Sequence, residues 1–353
     1  MHTLRVLALC VGFAFAMPSV ADPNAEFAGA FTAYREAMEE SRYREAAAHA
    51  EKSRKLGEEI YADDPKVIAT LAYNHGHALA MLGADGQAYE VLKETRKLMR
   101  RAYGADSAQV FRVEMSLLDT VPDESAALQL TRVLKQARRH LAQDGEAMAE
   151  LKLNGGMRVW WHRRAEGLLG EAAETFARLG KTEREARAKF WIGKIHLGYD
   201  RYRDVVEAMT PVVEMLPEDD RIALMARANL VEAYEKLGES DRATEHCLAI
   251  GKTVPWTGTA DYQPLFKRPP TYPRNALVRN TEGWVLVEFG VDEMGFVREP
   301  IVIDSKPKGD IGWSLEAAAV VAAKGFRYAP RFVDGEPVAV DGVRNRIVFE
   351  IAD

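Results

Sequence analysis

The sequence predicts a multidomain chain: an all-α helical solenoid over residues 22–250, joined by a linker at 251–263 to a small α+β module over 264–353. Three observations predict it. Ala46 and Ala88, Lys55 and Lys97, Tyr61 and Tyr103, and Asp64 and Asp106 all stand 42 residues apart (88 − 46 for the first), a period in the range of stacked helical pairs. Leu82-Gly83-x4-Ala88 recurs as Leu237-Gly238-x4-Ala243. Near the end the period changes to two, with Val285, Val287, Phe289 and Val291 alternating with Leu286, Glu288 and Gly290.

Taken in order, Met1 to Ala21 reads as a signal peptide. Arg5 supplies a basic start, Val6 to Met17 is a short apolar run, Pro18 breaks it, and Ser19-Val20-Ala21 offers small residues for cleavage before Asp22. The run is shorter than the roughly 20 residues needed to cross a bilayer, so the expectation is export with the segment removed. An uncleaved membrane anchor is the alternative. Leu7-Ala8-Leu9-Cys10 mimics a lipoprotein signal but lies too early. Loss of Cys10 leaves Cys247 as the one thiol, expected to be a small buried hydrophobe rather than a redox group.

From Phe27 to about Ile250 the chain is helical. Tyr73, Gly76, Leu79 and Ala88, and again Leu230, Tyr234, Gly238 and Ala243, combine small residues that let helices approach with larger ones that fill grooves between pairs. These positions resemble a tetratricopeptide-repeat (TPR) array of the longer-helix kind. Arg187 to Pro217 forms one further pair with Gly193, Tyr202, Val205 and Val206 inward. Between Asp106 and Leu179 helices are evident but repeat boundaries are not. Pro255, Gly258 and Pro264 mark a loop-like linker.

The C-terminal module begins with a strand from Glu282. Asp292-Glu293-Met294-Gly295 makes a hairpin turn with Gly295 at positive φ, and Val297 to Ser305 returns, with a bulge or unpaired edge at Pro300, which has no N–H. Ile311, Leu315, Ala318, Ala319 and Ala322 recur at helical spacing, with Gly325 as C-cap. Phe326 to Phe332 is read as a further strand, Asp334-Gly335 and Asp341-Gly342 as turns, and Val343 to Ile351 as the last strand. From about Asp261 onward the module is expected to fold alone and the solenoid to melt separately.

The ordered set Pro269-Pro270-Thr271-Tyr272-Pro273, Glu282-Gly283-Trp284-Val285, Val291-Asp292-Glu293-Met294-Gly295, Phe326-Arg327-Tyr328-Ala329-Pro330 and Ile347-Val348-Phe349-Glu350-Ile351 resembles the TonB C-terminal domain family. The resemblance implies a periplasmic binding domain that engages a short segment of an outer-membrane receptor by adding it as a strand to the sheet edge. It implies a partner-binding set of Arg344, Asn345, Arg346, Ile347, Val348 and Phe349 on the last strand, with Tyr272 and Pro273 at the module's entry. Family transducers carry a long Pro-rich spacer that this chain lacks.

The net charge of −6 and pI near 5.9 argue against nucleic-acid binding, which needs a clustered basic face. No catalytic pattern and no cofactor site is found, and the chain is read as a non-enzyme. His75 and His77, two apart on a helix, do not face each other, so a shared metal is disfavoured. His162 reads as part of a charged helix, and Trp160-Trp161 as helical packing residues with a possible peptide contact. Arg344 and Arg346 share one sheet face, either simply solvated or reading acidic residues of a bound segment. Protein partners in the cell envelope are therefore expected, with a peptide on the TPR surface as a further possibility. The expected role is partner engagement in TonB-type transport; the alternative is a periplasmic scaffold that transduces no energy.

Overall fold

The computed structural model describes residues 22–254 and 262–351; residues 1–21, read above as a signal peptide, and most of the stretch read as a linker, including Pro255 and Gly258, lie outside the described residues. The chain divides into two compact units, residues 1–140 and 141–353.

The first unit holds α1 (Pro23–Glu39), α2 (Tyr43–Ile60), α3 (Pro65–Met81), α4 (Asp85–Tyr103), α5 (Ala108–Thr120) and α6 (Asp123–His140). Each helix packs on the next. The starts of α2 and α4 reproduce the 42-residue offset, and Ala46 and Ala88 are both fully buried. The side chain of Asp64 caps α3 by accepting the N–H groups of Lys66 and Val67 at 3.0 and 3.2 Å. Its repeat mate Asp106 does not cap α5; Ser107 does, accepting the N–H of Val110 at 3.3 Å.

The second unit continues the pairing with α7 (Glu146–Arg158), α8 (Ala165–Arg178), α9 (Thr182–Gly198), α10 (Tyr202–Met215), α11 (Arg221–Leu237) and α12 (Ser240–Thr253). The predicted pair at 187–217 is α9 and α10, and a Cβ on Gly193 would meet Met209 at 2.6 Å, so the small residue sets the helix spacing. Gly238 takes φ 79° to end α11, as Gly83 at φ 78° follows α3, which explains the repeated Leu-Gly signature. Trp160, Trp161 and His162 are not helical. They occupy the turn between α7 and α8, both indoles well exposed and in edge-to-face contact at 6.2 Å. Helix α12 runs through Thr253, so the first residues assigned to the linker are helical.

The rest of this unit is the C-terminal module. A short helix α13 (Arg274–Val278) precedes β1 (Gly283–Val291), β2 (Val297–Lys306), α14 (Asp310–Ala323), β3 (Arg331–Val333), β4 (Glu336–Val338) and β5 (Val340–Phe349). The main sheet has the order β2-β1-β5, all antiparallel, and α14 packs on β1 and β2. The period-2 reading holds: Val285, Val287, Phe289 and Val291 are buried with Leu315, Ala319, Ala322, Ile347 and Phe349.

Three local readings need correction. Phe326–Phe332 is not one strand. Arg327 makes isolated bridges to Phe266 and Phe296, and only Arg331–Val333 forms a strand, paired to β4. Asp341-Gly342 is not a turn but part of β5, where the register against β1 shifts and Gly342 takes φ 72°, a bulge. Lys324 rather than Gly325 is the C-cap of α14. The bulge expected at Pro300 is present: Gly290 pairs with Arg298 and Glu288 with Ile301, leaving one extra residue on β2, where Glu299 has φ 47°.

Candidate partner-binding site

The outer edge of β5 has no strand partner among the described residues. Its polarity follows from the hairpin. The N–H of Asp292 donates to the carbonyl of Phe296 at 2.9 Å, so Asp292 faces β2. Alternate residues of a strand bond to opposite neighbours, so Gly283, Val285, Val287 and Phe289 face β5. Their register partners Phe349, Ile347, Asn345 and Val343 therefore bond inward. Arg344, Arg346 and Val348 direct their main-chain N–H and C=O groups to the open edge. The opposite edge of the sheet is a poorer acceptor: β2 carries two register shifts and Pro300.

This alternation sorts the eight predicted site residues. Ile347 and Phe349 are buried against the helix and serve the core. Asn345 is half-buried on the same face. Arg344, Arg346 and Val348 are exposed on the other face. There Arg344 Nε donates to Glu288 Oε2 at 2.6 Å, and the Arg346 guanidinium lies 4.2 Å from the centroid of the Trp284 ring. Both cations are thus held over the sheet surface beside the free edge. Tyr272 packs edge-to-face on Phe349 at 5.7 Å and donates to the carbonyl of Thr281 at 2.8 Å; Pro273 is the N-cap of α13. These two brace the end of β5 from the core side.

Residues that the sequence did not single out complete the site. Tyr262, Gln263 and Lys267 form the far wall of a groove of about 520 Å³ whose near wall is Val340 to Arg346. Lys267, Arg344 and Arg346 outweigh Asp341 there, so the groove is cationic. The wall is anchored rather than loose. Leu265 and Phe266 donate to the carbonyl of Arg327, and Tyr262 donates to that of Ala329 and packs on the Tyr328 ring at 4.9 Å. Burial raises the Tyr262 and Tyr328 hydroxyls well above the ordinary tyrosine range, so both stay neutral.

Arg327 ties the module to the helices. It is 1% exposed, pairs through Nη1 with Glu235 of α11, and donates through Nη2 to Thr244 Oγ1 of α12 at 2.7 Å and to the carbonyl of Met294 at 3.2 Å. Its guanidinium lies 3.8 Å from the Phe296 ring centroid. Phe266 enters the core formed by α9 to α12, and α12 approaches so closely that a Cβ on Gly251 would lie 2.2 Å from the Pro330 carbonyl oxygen. The module is therefore docked on α11 and α12. The one sequence signal was a charge inside the apolar run Phe326-Arg327-Tyr328, which needs a buried partner.

Residues 268–351 match the model of the Gram-negative bacterial TonB protein C-terminal. The match spans the whole sheet, both helices of the module and Arg327, and it gives the chain a TonB-like protein-interaction module behind its TPR-like helices. Similar solved structures include TPR-like repeats of a kinesin light chain from Podosopora anserina, at 14% identity over 51% of this chain and 91% of that one, TM-score 0.44. They also include the tonb2 protein of Vibrio anguillarum, at 32% identity over 29% of this chain and 92% of that one, TM-score 0.21. A third is MamA 41-end from Desulfovibrio magneticus RS-1, at 15% identity over 65% of this chain and 94% of that one, TM-score 0.30. No curated protein matches the chain.

Proposed function

We propose that this is a periplasmic binding protein whose TonB-like module accepts an extended partner segment as a fourth strand beside β5, in the manner of TonB engaging outer-membrane receptors. The free edge of β5 carries the proposal: Arg344, Arg346 and Val348 offer unpaired main-chain groups in a strand whose register is locked by its buried face. Lys267, Arg344 and Arg346 favour a segment bearing acidic residues. The periplasmic location rests on the signal-like residues 1–21.

A second reading, a periplasmic scaffold without energy transduction, is favoured by the docking of the module. Where a transducer needs its module on a long extensible spacer, Arg327 and Gly251 hold this one against α11 and α12. Under that reading the strand site is the same and the partner is a soluble envelope protein.

Proline substitutions test the shared claim, because proline removes one N–H. Arg346→Pro is expected to leave circular dichroism unchanged and abolish cross-linking to envelope partners. Asn345→Pro, whose N–H bonds inward, is expected to disrupt the sheet. Undiminished cross-linking by folded Arg346→Pro protein would remove the edge as the site. The cross-linked partner decides between readings: an outer-membrane receptor supports transport, a soluble protein the scaffold.

A further inference from the structure

We infer that the first unit carries a binding pocket for a small multivalent anion, separate from the strand site. Between the second helices of two successive pairs lies a cavity of about 240 Å³ lined by Arg100 of α4, Asp106 of the following turn, Glu114 of α5, and Arg132, Lys135, Gln136 and Arg139 of α6. The protein as a whole carries −6, so a basic cavity here runs against the general charge.

The floor is built from buried polar groups. Glu114, 1% exposed, accepts from Gln129 Nε2 at 2.8 Å and lies 3.5 Å from Arg96. Gln129, itself buried, accepts from Arg132 Nη1 at 3.4 Å through its side-chain oxygen. The two buried groups thus fix the Arg96 and Arg132 guanidiniums before any ligand arrives. Glu114 is matched by Arg96 and Asp106 by Arg139. Arg100, Arg132 and Lys135 have no carboxylate within ion-pair distance among the described residues, although they line one cavity. Like charges gathered without counter-charge destabilise the free protein, and an anion in the cavity would relieve that. The buried Oε1 of Gln136 also lacks a hydrogen-bond donor among the described residues. A ligand that presents a donor beside its charge would satisfy it.

The chemistry that fits is a compact di- or trianion bearing phosphate or carboxylate groups, since two guanidinium forks and an ammonium suit either. A phosphomonoester and an acidic peptide end are the two sources. Calorimetric titration of the intact chain separates them, with inorganic phosphate in one arm and succinate in the other, at low and at raised salt. The expected result is saturable binding of one probe above the other, weakened by salt. In Arg100→Gln and in Lys135→Gln, both exposed and so neutral to the fold, affinity should fall at least about tenfold. Lys93→Gln, on α4 but outside the cavity, should bind as the parent does. Preference for phosphate assigns a phosphoryl ligand, preference for succinate a carboxylate ligand. Absence of saturable binding by both probes, or equal affinity in the Arg100→Gln and Lys135→Gln variants, would overturn the site.

Discussion

Arg327→Met is expected to loosen the TonB-like module from the helices that carry it. Arg327 is 1% exposed and the side chain of its partner Glu235 is 7% exposed, so both charges are desolvated. Removing one member of such a pair strands the other, at a cost of about 3–5 kcal/mol. The Thr244 and Met294 bonds and the Phe296 stack go with it. Against a typical domain stability of roughly 5–15 kcal/mol this is a large share. Most of the loss comes from uncompensated Glu235, so Arg327→Met combined with Glu235→Leu should recover much of it, since an apolar pair of similar bulk is often neutral. Urea denaturation followed by circular dichroism gives the magnitudes, and hydrogen exchange of peptides gives the location. In the parent, peptides from α11, α12 and β1 should open at a common free energy; in Arg327→Met the module should open first. A loss below about 1 kcal/mol in the single variant, or strict additivity in the double one, would refute the idea that this buried pair docks the module.

Two further outcomes concern titration in the same region. His246 is pushed down to about 4 by burial and by nearby Arg227 and Arg242, so its neutral form belongs to the fold. The stability it confers is complete above the unfolded value near 6.5 and is lost as pH falls from there towards 4; His246→Gln should flatten the melting temperature over that window. Cys247 is buried and its thiol is pushed up from 9.0 to about 12, chiefly by burial, so it should resist maleimide at pH 8 until the protein unfolds. Unfolded chains ionise it above pH 9 while the fold does not, so stability should fall there, and Cys247→Ala should remove that alkaline decline.

What the sequence revealed depended on whether a residue's burden was local. β1, α14 and β5 each bury one face, and that leaves a period in the chain: Val285, Val287 and Phe289, Leu315 and Ala319, Ile347 and Phe349. Pro300 announced its bulge because a missing N–H is visible in one letter. Asp341-Gly342 misled because Gly at positive φ serves a bulge as well as a turn. The stretch from Phe326 was illegible because its partners, Phe266, Phe296 and Glu235, are distant in sequence and impose no period. The same holds for the candidate sites. Arg344, Arg346 and Val348 belonged to the set that the family resemblance implied, and strand alternation put both arginines on one face, whereas Lys267 and Tyr262 joined them only through folding. The cationic cavity of α4 to α6 draws on three helices, two of which lie in the stretch where the repeat signature fades.

Hydrogen exchange at single-residue resolution along β5, with and without the segment recovered by cross-linking, tests the strand-addition account most directly. In the free protein the amides of Val343, Asn345 and Ile347 should exchange slowly and those of Arg344, Arg346 and Val348 quickly, because only the first set bonds to β1. On binding, the second set should slow and the first should not change. Slow exchange of Arg344, Arg346 and Val348 in the free protein, or unaltered exchange at all three on binding, would contradict an open edge that takes a partner strand.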